Sequence, residues 1–188
     1  MSWTAIIPLK QAGARKTRLT ERLTEAERDR LADRLFAHVA GMLMAHPQIG
    51  DVLILSPAAP PAGFGIWRRD GGLGLNAELT ALRQIYGGRD LLVVHADLPL
   101  LGADDITALL AAAGQDGFAI APDRLGAGTN AIALPRGRPF AFAFGPDSLS
   151  AHRAADASAR IVERPGFALD IDTPDDLDAA IAAGFAAA

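Results

Sequence analysis

The sequence predicts an α/β chain, a single doubly wound and mostly parallel sheet with helices on both faces, and three observations predict it. Short apolar runs alternate with amphipathic segments along the whole length, which is the pattern of βα units. The runs TAIIPL (4–9), DVLIL (51–55) and LLVVHA (91–96) are apolar throughout, as strands covered on both faces tend to be. A chain of 188 residues, 50% hydrophobic and 21% charged, is also long enough to bury one sizeable core, so residues 1–188 read as one domain.

The elements follow in order. Thr4–Leu9 is the first strand. A long helix comes next, opened by Thr24-Glu25-Ala26-Glu27 with capping-box spacing and given one apolar face by Leu31, Leu35, Val39 and Met42. Asp51–Leu55 is a second strand, stopped by the Pro/Ala/Gly stretch 57–63. Leu75–Tyr86 reads as helix, Leu91–Ala96 as the clearest buried strand and Ala103–Ala113 as helix with Asp104 and Asp105 in its first turn. Gly117–Ala121 and Asn130–Leu134 read as strands around the loop 122–129, and a short helix starts near Asp147. Phe167–Asp170 is expected as a last strand and Pro174–Ala183 as the closing helix, with Thr173 as N-cap and Pro174 at its first position.

Composition excludes several function classes. Eighteen Lys and Arg against 22 Asp and Glu give a net charge of −4, which argues against sequence-independent nucleic-acid binding over a broad basic face. The absence of cysteine removes disulfides, zinc–thiolate sites, iron–sulfur clusters and thiol nucleophiles. MSWTAIIPLK lacks a basic segment followed by a long apolar run, and no window nears 18 apolar residues, so a cytoplasmic protein without membrane contact is expected.

Six segments have the residue types for chemistry. Lys10, Arg15, Lys16, Arg18 and Arg22 concentrate positive charge directly after the first strand, where the ligand crevice of an α/β sheet opens. In an acidic protein this suits a polyphosphate, although a solvated basic loop is the plainer alternative. Gly13-Ala14-Arg15-Lys16-Thr17 lacks the glycine that a Walker A loop carries before its lysine. Asp97, just past LLVVHA, is either a turn aspartate or a carboxylate placed to hold Mg²⁺ against phosphate oxygens.

Asp170 and Asp172 are two apart in an extended segment and so face one side, where their mutual repulsion favours a divalent cation between them. Gly126-Ala127-Gly128-Thr129-Asn130 is a glycine-flanked loop whose amides and Thr129 hydroxyl suit an anion. Phe144-Gly145-Pro146-Asp147-Ser148 opens a helix and suits a phosphate or carboxylate in the same way. Gly71–Leu75 has the wrong spacing for a dinucleotide fingerprint, leaving Asn76 to contact a ribose or base. Among the histidines, His38 and His46 read as surface residues, His95 as a core residue, and His152 as one turn into the Ser148 helix, in reach of the same anion. G-x-S-x-G is missing, which makes a serine hydrolase of that type improbable.

Together these segments resemble the guanylyltransferases of coenzyme F420 biosynthesis, whose fold is similar to that of the molybdenum-cofactor guanylyltransferases (nucleotide-diphospho-sugar-transferase-like, MobA-like). The matching pieces are Ile7-Pro8-Leu9-Lys10 with Lys16-Thr17-Arg18-Leu19, Leu75-Asn76-Ala77-Glu78-Leu79 and Asp97-Leu98-Pro99-Leu100. Ala121-Pro122-Asp123-Arg124 with Gly128-Thr129-Asn130, Phe144–Ser148 and Leu169–Pro174 follow in the same order. The resemblance implies a Mg²⁺-dependent nucleotidyltransferase that moves GMP from GTP to the phosphate of a three-carbon phospho-acid (2-phospho-L-lactate, phosphoenolpyruvate or 3-phospho-D-glycerate) and releases pyrophosphate. It implies Lys10, Lys16 and Asp97 as catalytic residues. Asp97, Asp170 and Asp172 would be the metal ligands, and Lys10, Lys16, Arg18 and Asn76 the nucleotide contacts. Thr129, Gly145 and Ser148 would bind the acceptor. The competing readings are transfer to a molybdopterin or sugar phosphate and a catalytically silent GTP-binding protein. The apolar run 181–188 offers a surface for a homodimer.

Overall fold

The computed structural model describes residues 2–11, 16–156 and 158–186, the side chains of 115 and 116 excepted. Seven strands form one sheet in the order β3-β2-β1-β4-β6-β5-β7. They are β1 (Trp3–Pro8), β2 (Ile49–Ser56), β3 (Ile66–Arg69), β4 (Leu91–Val94), β5 (Ala119–Pro122), β6 (Thr129–Leu134) and β7 (Arg160–Ile161). β6 pairs antiparallel with both β4 and β5, and every other pairing is parallel. The expected mostly parallel sheet is therefore present, with one reversed strand.

Alternation along the strands divides the core. Ala5, Ile7, Val52, Ile54, Leu92 and Val94 face the helices α1 (Glu25–Ala45), α3 (Ala103–Asp116) and α5 (Pro165–Ala168) through Phe36, Val39, Leu109 and Phe167. Ile6, Leu53, Leu91, Val93, Ile120 and Ile132 face the opposite side. There α2 (Leu75–Ile85) and α4 (Ser148–Ala155) cover them with Leu79, Leu82 and Leu149, joined by Phe142 from the segment before α4. A third cluster packs Leu19, Leu31, Leu35, Ile171 and Leu177 where α1 meets the last helix, α6 (Pro174–Ala182). No helix among the described residues is long and apolar enough to cross a membrane.

The capping box at Thr24 forms as its spacing predicts, and Thr173, expected as an N-cap, closes a second one with Asp176. Glu27 N donates to Thr24 Oγ1 at 3.4 Å and Thr24 N to Glu27 Oε2 at 2.8 Å; Asp176 N donates to Thr173 Oγ1 at 3.3 Å and Thr173 N to Asp176 Oδ2 at 2.8 Å.

Three expectations are corrected. Phe167–Asp170 is not a strand: Pro165 starts the short helix α5, which ends at Ala168, and Phe167 is an apolar core residue on it. β3 and β7 appear where the pattern showed none. β3 is short and exposed, so it lacks apolar alternation, and it reaches its place through Gly65 at φ +86°, where a Cβ would overlap the Val52 carbonyl. β7 has two residues, too few to carry a period. His46 is buried rather than superficial, its Nε2 3.0 Å from Thr107 Oγ1 and its Nδ1 accepting from Gln48 N at 3.3 Å. At the C-terminus Ile181 is half exposed, but Phe185 packs on the chain's own third cluster.

Candidate active site

The site stands at the carboxyl ends of β1 and β4, the crevice side of a parallel sheet. Asp97 follows β4 by three residues. Its backbone carbonyl accepts from Ile171 N at 3.2 Å, which docks the extended segment 169–172 against it. Ile171 turns into the core, fully buried, so Asp170 and Asp172 point the other way, toward Asp97. One oxygen from each of Asp97, Asp170 and Asp172 lies within 4.8 Å of the others. The tertiary fold thus brings together the three carboxylates singled out in the sequence.

A cation sits among them. Lys16 Nζ is 2.6 Å from Asp97 Oδ2 and 3.1 Å from Asp172 Oδ1, and its side chain is only 8% exposed. Burial opposes the ammonium charge, yet the two carboxylates outweigh it and hold Lys16 above the ordinary lysine range. For Asp97 the balance is parallel: burial works against ionisation, and Lys16, with His95 behind it, pulls the carboxyl below its usual range. Asp170 differs. Burial first, then the Asp97 charge, push it up, against a hydrogen bond from Asn130 Nδ2 at 3.1 Å. Lys16 itself has φ +52°, the left-handed region that favours glycine, and it precedes the 3₁₀ turn Thr17–Leu19. Strained non-glycine backbone of this kind concentrates at functional sites.

The donor set suits a hard divalent cation. All three groups offer carboxylate oxygen, and Asp97 Oδ1 is buried with no hydrogen-bond partner among the described residues, an acceptor left open toward the cluster.

The remaining predicted residues are distributed around this cluster. Lys10 and Arg18 are exposed on either side of the segment after β1, and Arg15 lies outside the described residues. Arg22 pairs at the surface with Asp178, Nη2 to Oδ1 at 2.7 Å. Thr129 begins β6 and is buried; Ser148 begins α4 and is buried; Gly145 has φ +143°, a conformation open to glycine.

Two readings of these segments change. The amides of the 123–128 loop are not free for a ligand. Asp123 accepts from Leu125 N at 3.2 Å, Ala127 N at 2.9 Å and Gly128 N at 2.8 Å, an Asx-type cage that spends them internally. Asn76 engages backbone instead of open solvent: its Nδ2 donates to Phe144 O at 3.0 Å and its Oδ1 accepts from Phe144 N at 2.8 Å. This two-point clamp fixes the entry to Gly145–Ser148. Sequence reading also missed the place of His152, which is fully buried between Thr129 and Ala143 rather than facing an anion. Its spacing from Ser148 was visible, but the partners on β6 and residue 143 were not.

The chain has the nucleotide-diphospho-sugar-transferase fold, with carboxylates and an ammonium together at the crest of its sheet. The fold is shared with CMP:2-keto-3-deoxy-manno-octonic acid synthetase in complex with CTP, at a TM-score of 0.61 and 14% identity over 97% of this chain and 98% of that one. Within that class the chain belongs to the CofC-like guanylyltransferase family, whose model (Guanylyl transferase CofC like) matches residues 3–186. Its relatives include the phosphoenolpyruvate guanylyltransferase of Sphaerobacter thermophilus, 38% identical over 95% of this chain and 92% of that protein. The phosphoenolpyruvate guanylyltransferase of Nocardia farcinica is 36% identical over 96% and 85%.

Proposed function

We propose that this protein transfers GMP from GTP to the phosphate of phosphoenolpyruvate, releasing pyrophosphate, as a step of coenzyme F420 biosynthesis. Within the three-carbon phospho-acids implied by the sequence, the names of the relatives favour phosphoenolpyruvate. The observation that carries the chemistry is the meeting of Asp97, Asp170 and Asp172 with Lys16 at the sheet crest.

In the reaction an acceptor phosphate oxygen forms a bond to the α-phosphorus of GTP as the bond to the bridging oxygen of pyrophosphate breaks. No proton need move, and no protein nucleophile is required. The task is to align two anions that repel each other. Lys16, Lys10 and Arg18 supply positive charge for the triphosphate and for the departing pyrophosphate. Thr129, Gly145 and Ser148 hold the acceptor, with Asn76 acting on them through the Phe144 backbone. Asp97, Asp170 and Asp172 would hold Mg²⁺; when bound, it supplies neutralising charge to the phosphate oxygens.

The test is pyrophosphate release with GTP and Mg²⁺, each of the three phospho-acids offered alone. Turnover with phosphoenolpyruvate above the other two is expected. Turnover confined to another acid would replace the acceptor, and a protein that binds GTP without releasing pyrophosphate would refute the transferase reading.

A further inference from the structure

His152 joins both walls of the proposed acceptor site through one buried ring. Its Nε2 accepts from Ala143 N at 2.9 Å, and its Nδ1 lies 3.1 Å from Thr129 Oγ1. Phe140 and Phe144 enclose it, at ring-centroid distances of 5.6 and 5.0 Å, and the residue is fully buried. A backbone amide can only donate. Nε2 must therefore present a lone pair, and the neutral ring has its proton on Nδ1. That proton has one partner, the Thr129 hydroxyl oxygen, which accepts it and must turn its own hydrogen elsewhere.

Thr129 is followed by Asn130, whose amide reaches Asp170 Oδ1, so this end of β6 adjoins the carboxylate cluster. On the other side, Ala143 precedes the segment that Asn76 clamps at Phe144 and that leads to Gly145 and Ser148.

We propose that His152 is a positioning residue for the acceptor. By donating from Nδ1 it commits the Thr129 oxygen as acceptor and leaves the Thr129 hydroxyl hydrogen to be donated to an anionic group of the phospho-acid. By accepting from Ala143 it holds the Gly145–Ser148 wall at a set distance from Thr129. The inference rests on the reading of Thr129 as an acceptor contact.

Two substitutions separate the ring's two bonds. In His152→Asn the side-chain amide falls near the Nδ1 position and can donate to Thr129. In His152→Gln the side-chain carbonyl reaches toward the Nε2 position and can accept from Ala143, with nothing left at Thr129. Steady-state kinetics with phosphoenolpyruvate and GTP, on variants shown by thermal melting to be folded, should then split. His152→Gln should raise the acceptor KM roughly tenfold with the GTP KM within about twofold, as expected for loss of one oriented hydrogen bond. His152→Asn should stay within about threefold of wild type for both, the donor being restored. Thr129→Val should raise the acceptor KM alone, and adding His152→Gln to it should cost little more, since both remove the same contact.

An acceptor KM unchanged in His152→Gln but raised in Thr129→Val would overturn the proposal and leave the acceptor site standing. Equal losses in Asn and Gln for both substrates would overturn it in favour of a purely structural histidine. An unchanged acceptor KM in Thr129→Val would overturn the reading of Thr129 and the proposal together. Nitrogen-15 NMR of histidine-labelled wild type, with His152→Gln assigning the resonance, needs no substrate. It should show a pyridine-like Nε2 and a proton on Nδ1; a proton on Nε2 would overturn the proposal whatever acceptor the enzyme uses.

Discussion

Lys16 Nζ lies 2.6 Å from Asp97 Oδ2, although 81 positions separate the two residues in the chain. This contact places a protein cation on the same carboxylates that would ligate a metal. The ammonium reduces the repulsion of three neighbouring carboxylates, and a divalent cation must share or displace it.

Lys16→Gln should therefore destabilise the protein by about 2–3 kcal/mol, below the full cost of breaking a buried pair because Asp172 is 49% exposed. Added Mg²⁺ should raise the melting temperature more in the variant than in wild type, since the competing ammonium is gone. Differential scanning fluorimetry with and without Mg²⁺ reads both. An equal Mg²⁺ response in the two proteins would sink the idea that Lys16 and the metal use one site.

Asp97→Asn should lower pyrophosphate release by at least about a hundredfold, the scale for losing a group that stabilises transition-state charge. Asp178→Asn, which only breaks the exposed Arg22 pair, should stay within about threefold of wild type. Assaying both at saturating GTP, with circular dichroism to check folding, makes the comparison. Near-normal turnover in Asp97→Asn would remove it from the machinery.

Asn76→Ala breaks both bonds to the Phe144 backbone and should cost roughly 1–3 kcal/mol where those groups are left unpaired. The kinetic effect should fall on the acceptor KM, because the freed segment leads to Gly145 and Ser148. If the GTP KM rises in its place, Asn76 serves the nucleotide directly, as its position after Gly71–Gly74 first suggested.

Burial first, then the charge of His95, lower the His152 pKa to about 4, against 6.5 for an ordinary histidine. Between these values the unfolded chain binds a proton that the folded one refuses. Stability is thus complete above about pH 6.5 and falls as pH drops toward 4. At pH 5.5 the loss from this group is on the order of 1 kcal/mol. Urea unfolding at pH 7.5 and 5.5 should show it in wild type and show less in His152→Asn. The same slope in both would assign the pH effect to other groups.

Much of this protein is written in local pattern, and that is the part the sequence determined by itself. Strand and helix runs follow from apolar periodicity, and both capping boxes from bonds that span three residues. The three carboxylates follow from their positions at strand and segment ends, since Asp170 and Asp172 flank an inward-facing Ile171. What only the tertiary structure decided is who meets whom across long loops. β3 and β7 are too short or too exposed to show a period and exist because a neighbouring strand offers them hydrogen bonds. Phe167 has strand-like composition, yet Pro165 and the core turn it into helix. Lys16 with Asp97, Asn76 with Phe144 and His152 with Thr129 are pairs of groups from distant segments. Their partners are set by where the packed sheet brings the ends of its strands, a non-local result that no spacing along the chain encodes.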